Sequence, residues 1–193
     1  MSQDLIRESL CYVTVGTGVG IGLIINGQCV HGMMHPEGGH VRIPIHDKDL
    51  EMGFKGVCPF HGNCLEGMVT NNAIAKRLEL SSVADVALLP DDHFVWDVIA
   101  FYIGILCSNL YLTTSVERII LGGGVPKRSV LIAKTRKLFA QNINGYVKLS
   151  QIEGDALDSF IVRPKYGDIL GSLAATICAV NQDLKKTEYI LLN

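Results

Sequence analysis

The residues best equipped for chemistry are His40, Cys58, His61 and Cys64. Imidazole nitrogen and thiolate sulfur are the ligands zinc prefers, and four of them complete a closed tetrahedral site of the structural kind. Three lie within Cys58-Pro-Phe-His-Gly-Asn-Cys64, and His40 stands 18 residues ahead of Cys58. Two cysteines and two histidines in one loop can also be unconnected, and His31, His35 and His46 stand nearby. The stretch from Gly32 to Glu66 favours the metal, because it is rich in His, Gly, Pro and Cys and lacks a hydrophobic period that a core could hold. We therefore expect a structural zinc on His40, Cys58, His61 and Cys64.

Two carboxylates accompany these ligands. Glu37 precedes His40 by three residues and Glu66 follows Cys64 by two. Ionised, they could accept hydrogen bonds from a polyhydroxylated ligand, although surface carboxylates are usually just solvated.

Glycine supplies the remaining candidates. In Gly16-Thr17-Gly18-Val19-Gly20 the missing side chains let backbone N–H groups approach a phosphate, and Thr17 adds a hydroxyl. No Gly-Lys-Ser/Thr follows, so this is not a Walker loop, and a strand instead of a helix comes next, so it is not the dinucleotide fingerprint. A plain glycine hairpin would read the same way. Gly122-Gly123-Gly124-Val125 closes a strand and opens a helix, where N–H groups and bare backbone can receive an adenine or ribose. A simple strand-to-helix turn needs one or two glycines, and three in succession point toward a ligand.

The elements that must position these groups follow from the pattern. Cys11–Val15 and Ile21–Ile25 are β-branched and apolar, Asn26-Gly27 marks a tight turn, and Gln28–His31 makes a third strand, which gives a three-stranded antiparallel opening. Met68, Ala73, Ile74, Arg77 and Leu78 fall near helical spacing, and Val83–Leu89 predicts a short helix before Pro90. Asp91-Asp92 should start a long apolar helix running to about Thr114. Arg118–Leu121 predicts a strand, Pro126 the opening of a helix to about Asn142, Phe160–Arg163 a last strand, and Asp168 the cap of a helix through Val180. Three strands, then helices, then two strand–helix units describe an α/β fold around one main core.

The chain as a whole narrows the partners. Its 193 residues carry a net charge of −2 with the basic residues scattered, which argues against nucleic acid and against a membrane surface. Charges near Met1 stand where a secretory signal needs apolar residues, so a cytoplasmic location is expected and the six cysteines are read as thiols or ligands. Val98–Val116 is uncharged for about the length of a membrane span. Ser108, Asn109, Thr113, Thr114 and Ser115 interrupt it, and no basic flank accompanies it, so it reads as a helix buried between layers.

Taken in order, Thr14-Val-Gly-Thr-Gly-Val-Gly20, His35-Pro-Glu-Gly-Gly-His40, Cys58-Pro-Phe-His-Gly-Asn-Cys-Leu-Glu-Gly67 and Ile120-Leu-Gly-Gly-Gly-Val-Pro126 resemble the ROK family, specifically its fructokinases. The commoner metal motif of that family is Cys-x-Cys-x4-Cys with a preceding histidine. The Cys-Pro-x-His-x2-Cys form here looks like the bacterial fructokinase branch, and the likeness runs from Tyr12 to about Ala179.

The resemblance implies a ribonuclease H-like, actin-like fold of two α/β lobes, with a sugar and ATP with magnesium in the cleft between them. Residues 1–193 would form the C-terminal lobe, with 32–66 as an inserted zinc and sugar loop. Gly16, Thr17, Gly18 and Gly20 would face phosphates, Gly122, Gly123 and Gly124 the adenosine, and Glu37, His40 and Glu66 the sugar hydroxyls. The zinc would order the sugar loop without acting as a Lewis acid, and the protein would be a homodimer. The family's Asp-x-Gly-Gly-Thr hairpin and the Asn-Asp segment that holds its general base occur nowhere in these residues. The N-terminal lobe is accordingly expected to be absent, no catalytic residue is assigned, and this chain alone is expected not to turn over. Two rival readings are a zinc-stabilised sugar-binding or regulatory module and an incomplete gene product with an exposed interlobe face. A DNA-binding repressor is disfavoured, since no helix-turn-helix and no basic patch is visible.

Overall fold

The computed structural model describes residues 8–167. They fall into two compact units, one through Arg163 and one from Pro164 onward, and the first holds every element named below. The helix expected from Asp168 through Val180 lies outside the described residues.

The chain opens with β1 (Leu10–Val15), β2 (Val19–Ile25) and β3 (Gln28–Cys29). Alternation drives β1: Cys11, Val13 and Val15 are buried, while Leu10, Tyr12 and Thr14 are only partly covered. Asn26 and Gly27 both take positive φ, 51° and 73°, as a two-residue hairpin turn requires. The third strand is shorter than the expected Gln28–His31. Only Ile24↔Cys29 and Ile25↔Gln28 pair, and Val30 and His31 are exposed at the sheet edge.

The segment between β3 and the next core helix is not wholly irregular. It holds a 3-10 turn, Gly38–His40, and a short helix α1 (Asp47–Met52) that sequence reasoning missed. His46 caps α1 by accepting from the Lys48 N–H, Asp47 and Asp49 occupy its first turn, and Gly53 ends it at φ 67°. Helices α2 (Leu65–Val69) and α3 (Asn71–Arg77) follow, joined at Thr70, whose hydroxyl accepts from Ala73 N–H. Val83–Leu88 is a 3-10 turn with a Ser82/Asp85 capping box.

The long apolar helix, α4, spans Val95–Thr114. It begins later than Asp91-Asp92 predicts. His93 Nδ1 accepts from Val95 N–H at 3.2 Å, and Asp91 is committed to Arg128 at 2.8 Å. The helix is long and apolar enough to cross a membrane, yet 67% of its apolar window is buried, with Trp96, Ile99, Tyr102, Ile103 and Leu106 in the core. It reads as a core helix, as its polar residues suggested.

Next come β4 (Arg118–Gly122), a 3-10 turn at Val125–Lys127, and α5 (Ser129–Ile143). Pro126 thus lies inside the turn and does not open the helix. Arg128 is extended, at ψ 117°, because its guanidinium reaches back to Ala87 O at 2.7 Å and lies 4.8 Å over the Trp96 ring. A short α6 (Leu157–Phe160) precedes β5 (Ile161–Val162), which is two residues where four were expected.

The sheet order is β3-β2-β1-β4-β5, with β1–β2 and β2–β3 antiparallel and β1–β4 and β4–β5 parallel. That order and sense are those of the ribonuclease H-like half of an actin-like ATPase fold. Helices α4 and α5 pack closely enough that a Cβ on Gly104 would stand 2.8 Å from Leu138 Cβ. The rings of Tyr111, Phe139 and Phe160 close the far end of that layer at centroid separations of 5.3–5.8 Å.

A fully buried ion pair fastens α1 to this core. Arg77 Nε and Nη2 donate to the Asp49 carboxylate at 2.6 and 3.0 Å, and Nη2 also donates to Met68 O at 2.8 Å. The Tyr102 hydroxyl donates to Asp49 Oδ2 at 2.6 Å and accepts from His46 N–H at 3.0 Å. One polar cluster therefore joins α1, α3 and α4 and holds the loop that carries the metal-type ligands.

Candidate functional site

His40, Cys58, His61 and Cys64 converge, their ligand atoms all lying within 4.8 Å of one another. His40 Nδ1 stands 3.8 Å from Cys58 Sγ and 3.5 Å from Cys64 Sγ, and His61 Nδ1 stands 3.7 Å from Cys58 Sγ. A tetrahedral zinc with sulfur at about 2.3 Å and nitrogen at about 2.0 Å has sulfur–nitrogen edges of about 3.5 Å, so these residues fit the ion. His31, His35 and His46 are not in the cluster, His46 being spent on the α1 cap.

Local structure explains the convergence. Cys58 and Gly62 exchange backbone hydrogen bonds at 3.1 and 2.9 Å, folding 58–62 into a tight knuckle. Gly67 lies so close behind it that a Cβ there would stand 2.9 Å from Cys58 N. Arg42 bonds His61 O at 3.0 Å and the Asn63 side-chain oxygen, clamping the turn from outside. Leu65 N–H donates to Val41 O at 3.0 Å, and this bond carries the His40 segment onto the knuckle.

Burial pushes both thiols up. At Cys58 the backbone N–H groups of His61 and Phe60 outweigh it and hold the thiol below its ordinary value. At Cys64 burial prevails over the Gly67 N–H and the thiol stays above it. A cation held at the centre would supply the charge that ionises the second thiol.

Of the expected sugar ligands, the structure brings His40 and Glu66 together. Glu66 Oε1 lies 3.9 Å from His40 Nε2, the nitrogen facing away from the thiols, and Glu66 Oε2 accepts from Val19 N–H at 3.0 Å. One carboxylate thus spans the metal-type cluster and the glycine hairpin. Glu37 begins the 3-10 turn that contains His40, but its side chain is about half exposed and bonded to His35 Nε2 at 2.6 Å.

The two glycine motifs also meet. Parallel pairing of β1 with β4 sets Thr14 beside Gly122, so both strands deliver their glycines at their carboxyl ends, where α/β sheets bind ligands. A Cβ on Gly16 would stand 3.7 Å from Gly124 N. Gly123, at φ 89° and with Val15 N 2.7 Å from its would-be Cβ, admits no side chain. Gly124 is different: its φ is −69°, and a Cβ there would have only the Asn71 amide nitrogen near it, at 3.5 Å. The fold does not require that glycine, and it opens on a cavity.

The cavity measures 340 Å³ and is walled by Asn71, Val83, Val86, Trp96, Gly124 and Arg128. Sequence reasoning missed Asn71 and Arg128. Neither belongs to a motif, and only the paired ends of β1 and β4 bring them to one place. A larger cleft of 480 Å³ lies at the other end of β4, lined by Tyr111, Leu112, Tyr146 and Leu149 among others. Its one carboxylate, Glu117, accepts from the N–H groups of Glu8 and Ser9, so it offers shape without reactive groups.

The family model for the ROK family matches residues 3–179. The chain is 37% identical over 174 residues to a fructokinase of Zymomonas mobilis, covering 89% of this chain and 55% of that protein. It is 39% identical over 142 residues to a fructokinase of Lactococcus lactis, covering 74% and 47% respectively. Among solved structures, a ROK family glucokinase from Streptomyces griseus in complex with glucose and AMPPNP superimposes with a TM-score of 0.58 at 19% identity, over 85% of this chain and 58% of that one. The chain spans about half the length of the curated relatives it matches.

Proposed function

Since this chain belongs to the ROK family, we propose that it is the C-terminal lobe of a sugar kinase that transfers the γ-phosphoryl of ATP to D-fructose, giving fructose 6-phosphate. The observation that carries this reading is the junction described above. Two glycine-lined strand ends meet beside a cavity that Gly124 lines, and Glu66 ties the hairpin to a His/Cys cluster that fits zinc. A phosphoryl donor and a polyhydroxylated acceptor would then be held side by side, and positioning with charge stabilisation is most of what phosphoryl transfer asks of a protein.

In this reading Gly16, Thr17, Gly18 and Gly20 take the phosphates with magnesium, Gly122, Gly123 and Gly124 take the adenosine, and Glu37, His40 and Glu66 take sugar hydroxyls. Zinc on His40, Cys58, His61 and Cys64 supplies folding energy to the loop that presents Glu37 and Glu66. His40 offers Nδ1 to the thiol side and Nε2 to the Glu66 side, which suits a residue that ligates with one nitrogen and orients with the other. The relatives named fructokinase support fructose as the acceptor. We further propose a cytoplasmic homodimer whose single chain binds its ligands without turning over. Removing the hydroxyl proton needs a positioned carboxylate, and Glu37 and Glu66 are engaged by His35 and Val19.

The test is ADP release by the purified chain with ATP, magnesium and fructose, beside Glu37→Ala and zinc-stripped controls. Absent turnover with retained zinc and measurable fructose binding is the expected result. Turnover that Glu37→Ala abolishes would place a base inside these residues and overturn the assignment of a binding-only lobe.

A further inference from the structure

The half-buried Asn71 serves neither the metal-type cluster nor the core. Its backbone N–H donates to Gly16 O at 3.0 Å, which pins its position to the tip of the glycine hairpin whatever its side chain is. Its amide nitrogen lies 3.5 Å from where a Cβ on Gly124 would stand. Among the described residues its carboxamide has no hydrogen-bond partner, and it borders the 340 Å³ cavity. A polar amide held at one point, between two ligand-type loops and on the lining of a cavity, stands where a ligand can reach it.

Asn71 shares the cavity lining with Gly124, the valines Val83 and Val86, and Arg128, whose guanidinium covers the buried Trp96 ring. The Asn71 backbone is tied to the Gly16 carbonyl at the start of the hairpin, and its amide nitrogen lies by Gly124. With adenosine at Gly124 and phosphates at the hairpin, as in the nucleotide reading, the sugar falls between the two loops, at Asn71. We propose that Asn71 is the residue that grips the ribose of the bound nucleotide. Its carboxamide both donates and accepts, which matches a hydroxyl that can do the same.

This rests on the nucleotide-site reading above, and the experiment separates the two. The intact 193-residue chain is titrated calorimetrically with ADP, 2′-deoxy-ADP and 3′-deoxy-ADP in magnesium. One neutral hydrogen bond predicts that ADP binds about five-fold more tightly than at least one deoxy analogue. In Asn71→Ala, ADP falls to the affinity of that analogue and the difference disappears. A purely structural role, or a contact to phosphate, would weaken all three equally, and that result overturns the proposal, as does a parent chain that binds all three alike. Should Asn71→Ala not fold by circular dichroism, Asn71→Gly, which leaves the Gly16 hydrogen bond in place, repeats the comparison. A folded, zinc-loaded parent that binds no nucleotide overturns the nucleotide site itself, and the role of Asn71 with it.

Discussion

Replacing Asp49 by alanine should come close to unfolding this lobe, although Asp49 touches none of the candidate ligands. The change strands Arg77, whose side chain is fully buried with its Nε and Nη2 both directed at Asp49 and its Nη1 without a hydrogen-bond partner among the described residues. What remains around the guanidinium is Met68 O and the face of Phe54, 4.3 Å from its centroid. Breaking a buried pair from one side costs about 3–5 kcal/mol, and the Tyr102 hydroxyl, which loses its acceptor, adds about 1 kcal/mol. Against a typical domain stability of about 5–15 kcal/mol this is a large share. The urea midpoint should fall by about 2–3 M at an ordinary slope of about 2 kcal/mol per M. The paired substitution Asp49→Leu with Arg77→Met removes both charges and should recover most of the loss, because apolar replacements of a buried pair are nearly neutral. The assay is equilibrium urea unfolding followed by tryptophan fluorescence, for which Trp96 is the one reporter. A loss below about 1 kcal/mol in Asp49→Ala, or a double variant no better than the single one, would refute the argument.

Three further outcomes are expected. Chelation, or Cys64→Ser, should release one equivalent of metal and raise hydrogen exchange across 36–66 while leaving β1, β2 and β4 protected; equal exchange with and without metal would contradict a structural ion. Gly124→Val should fill the cavity mouth and weaken nucleotide binding more than ten-fold, about 1.4 kcal/mol or more, with zinc content and urea midpoint unchanged, because the φ of −69° there suits any residue. Burial pushes the Cys11 thiol from 9.0 up to about 12. The protonated thiol is the form the fold prefers, so its contribution of about 4 kcal/mol is whole below pH 9.0 and is lost as pH rises toward about 12. Unfolding midpoints measured across that window should fall, and Cys11→Ala should flatten the decline.

Much of the site was legible because glycine, cysteine and histidine carry their chemistry in their type. The knuckle from Cys58 to Cys64 needs only its own turn and Gly67 behind it, so spacing along the chain equals spacing in space. Asn71 and Arg128 were not legible: each becomes part of the cavity through contacts with residues more than 30 positions away, Gly16 for one and Ala87 with Trp96 for the other. The helix α1 could have been found, since His46, two acidic residues and Gly53 mark its ends, but the density of metal-type residues on both sides drew the segment into a loop. Pro126 misled because proline suits the first turn of a 3-10 segment, where it is the second residue, as well as that of an α-helix. The strand edges erred in length because pairing, and not propensity, ends β3 after Cys29 and β5 after Val162.

The pairing of β1 with β4 also sets the order in which the molecule can assemble. Leu10 and its partner Arg118 are separated by 108 positions, whereas the β1–β2 hairpin and the 58–64 knuckle close within a few residues. Chain closure over that distance costs entropy before any contact repays it, so the local pieces form first. On a ribosome adding about 5–20 residues per second, β1 waits about 5–20 s for its neighbour. Through that interval its inner edge is an unpaired row of N–H and C=O groups flanked by Cys11, Val13 and Val15, open to any passing strand. The same register that later brings Gly16 to Gly124 therefore makes the nascent chain most vulnerable to aggregation just before its proposed ligand site exists.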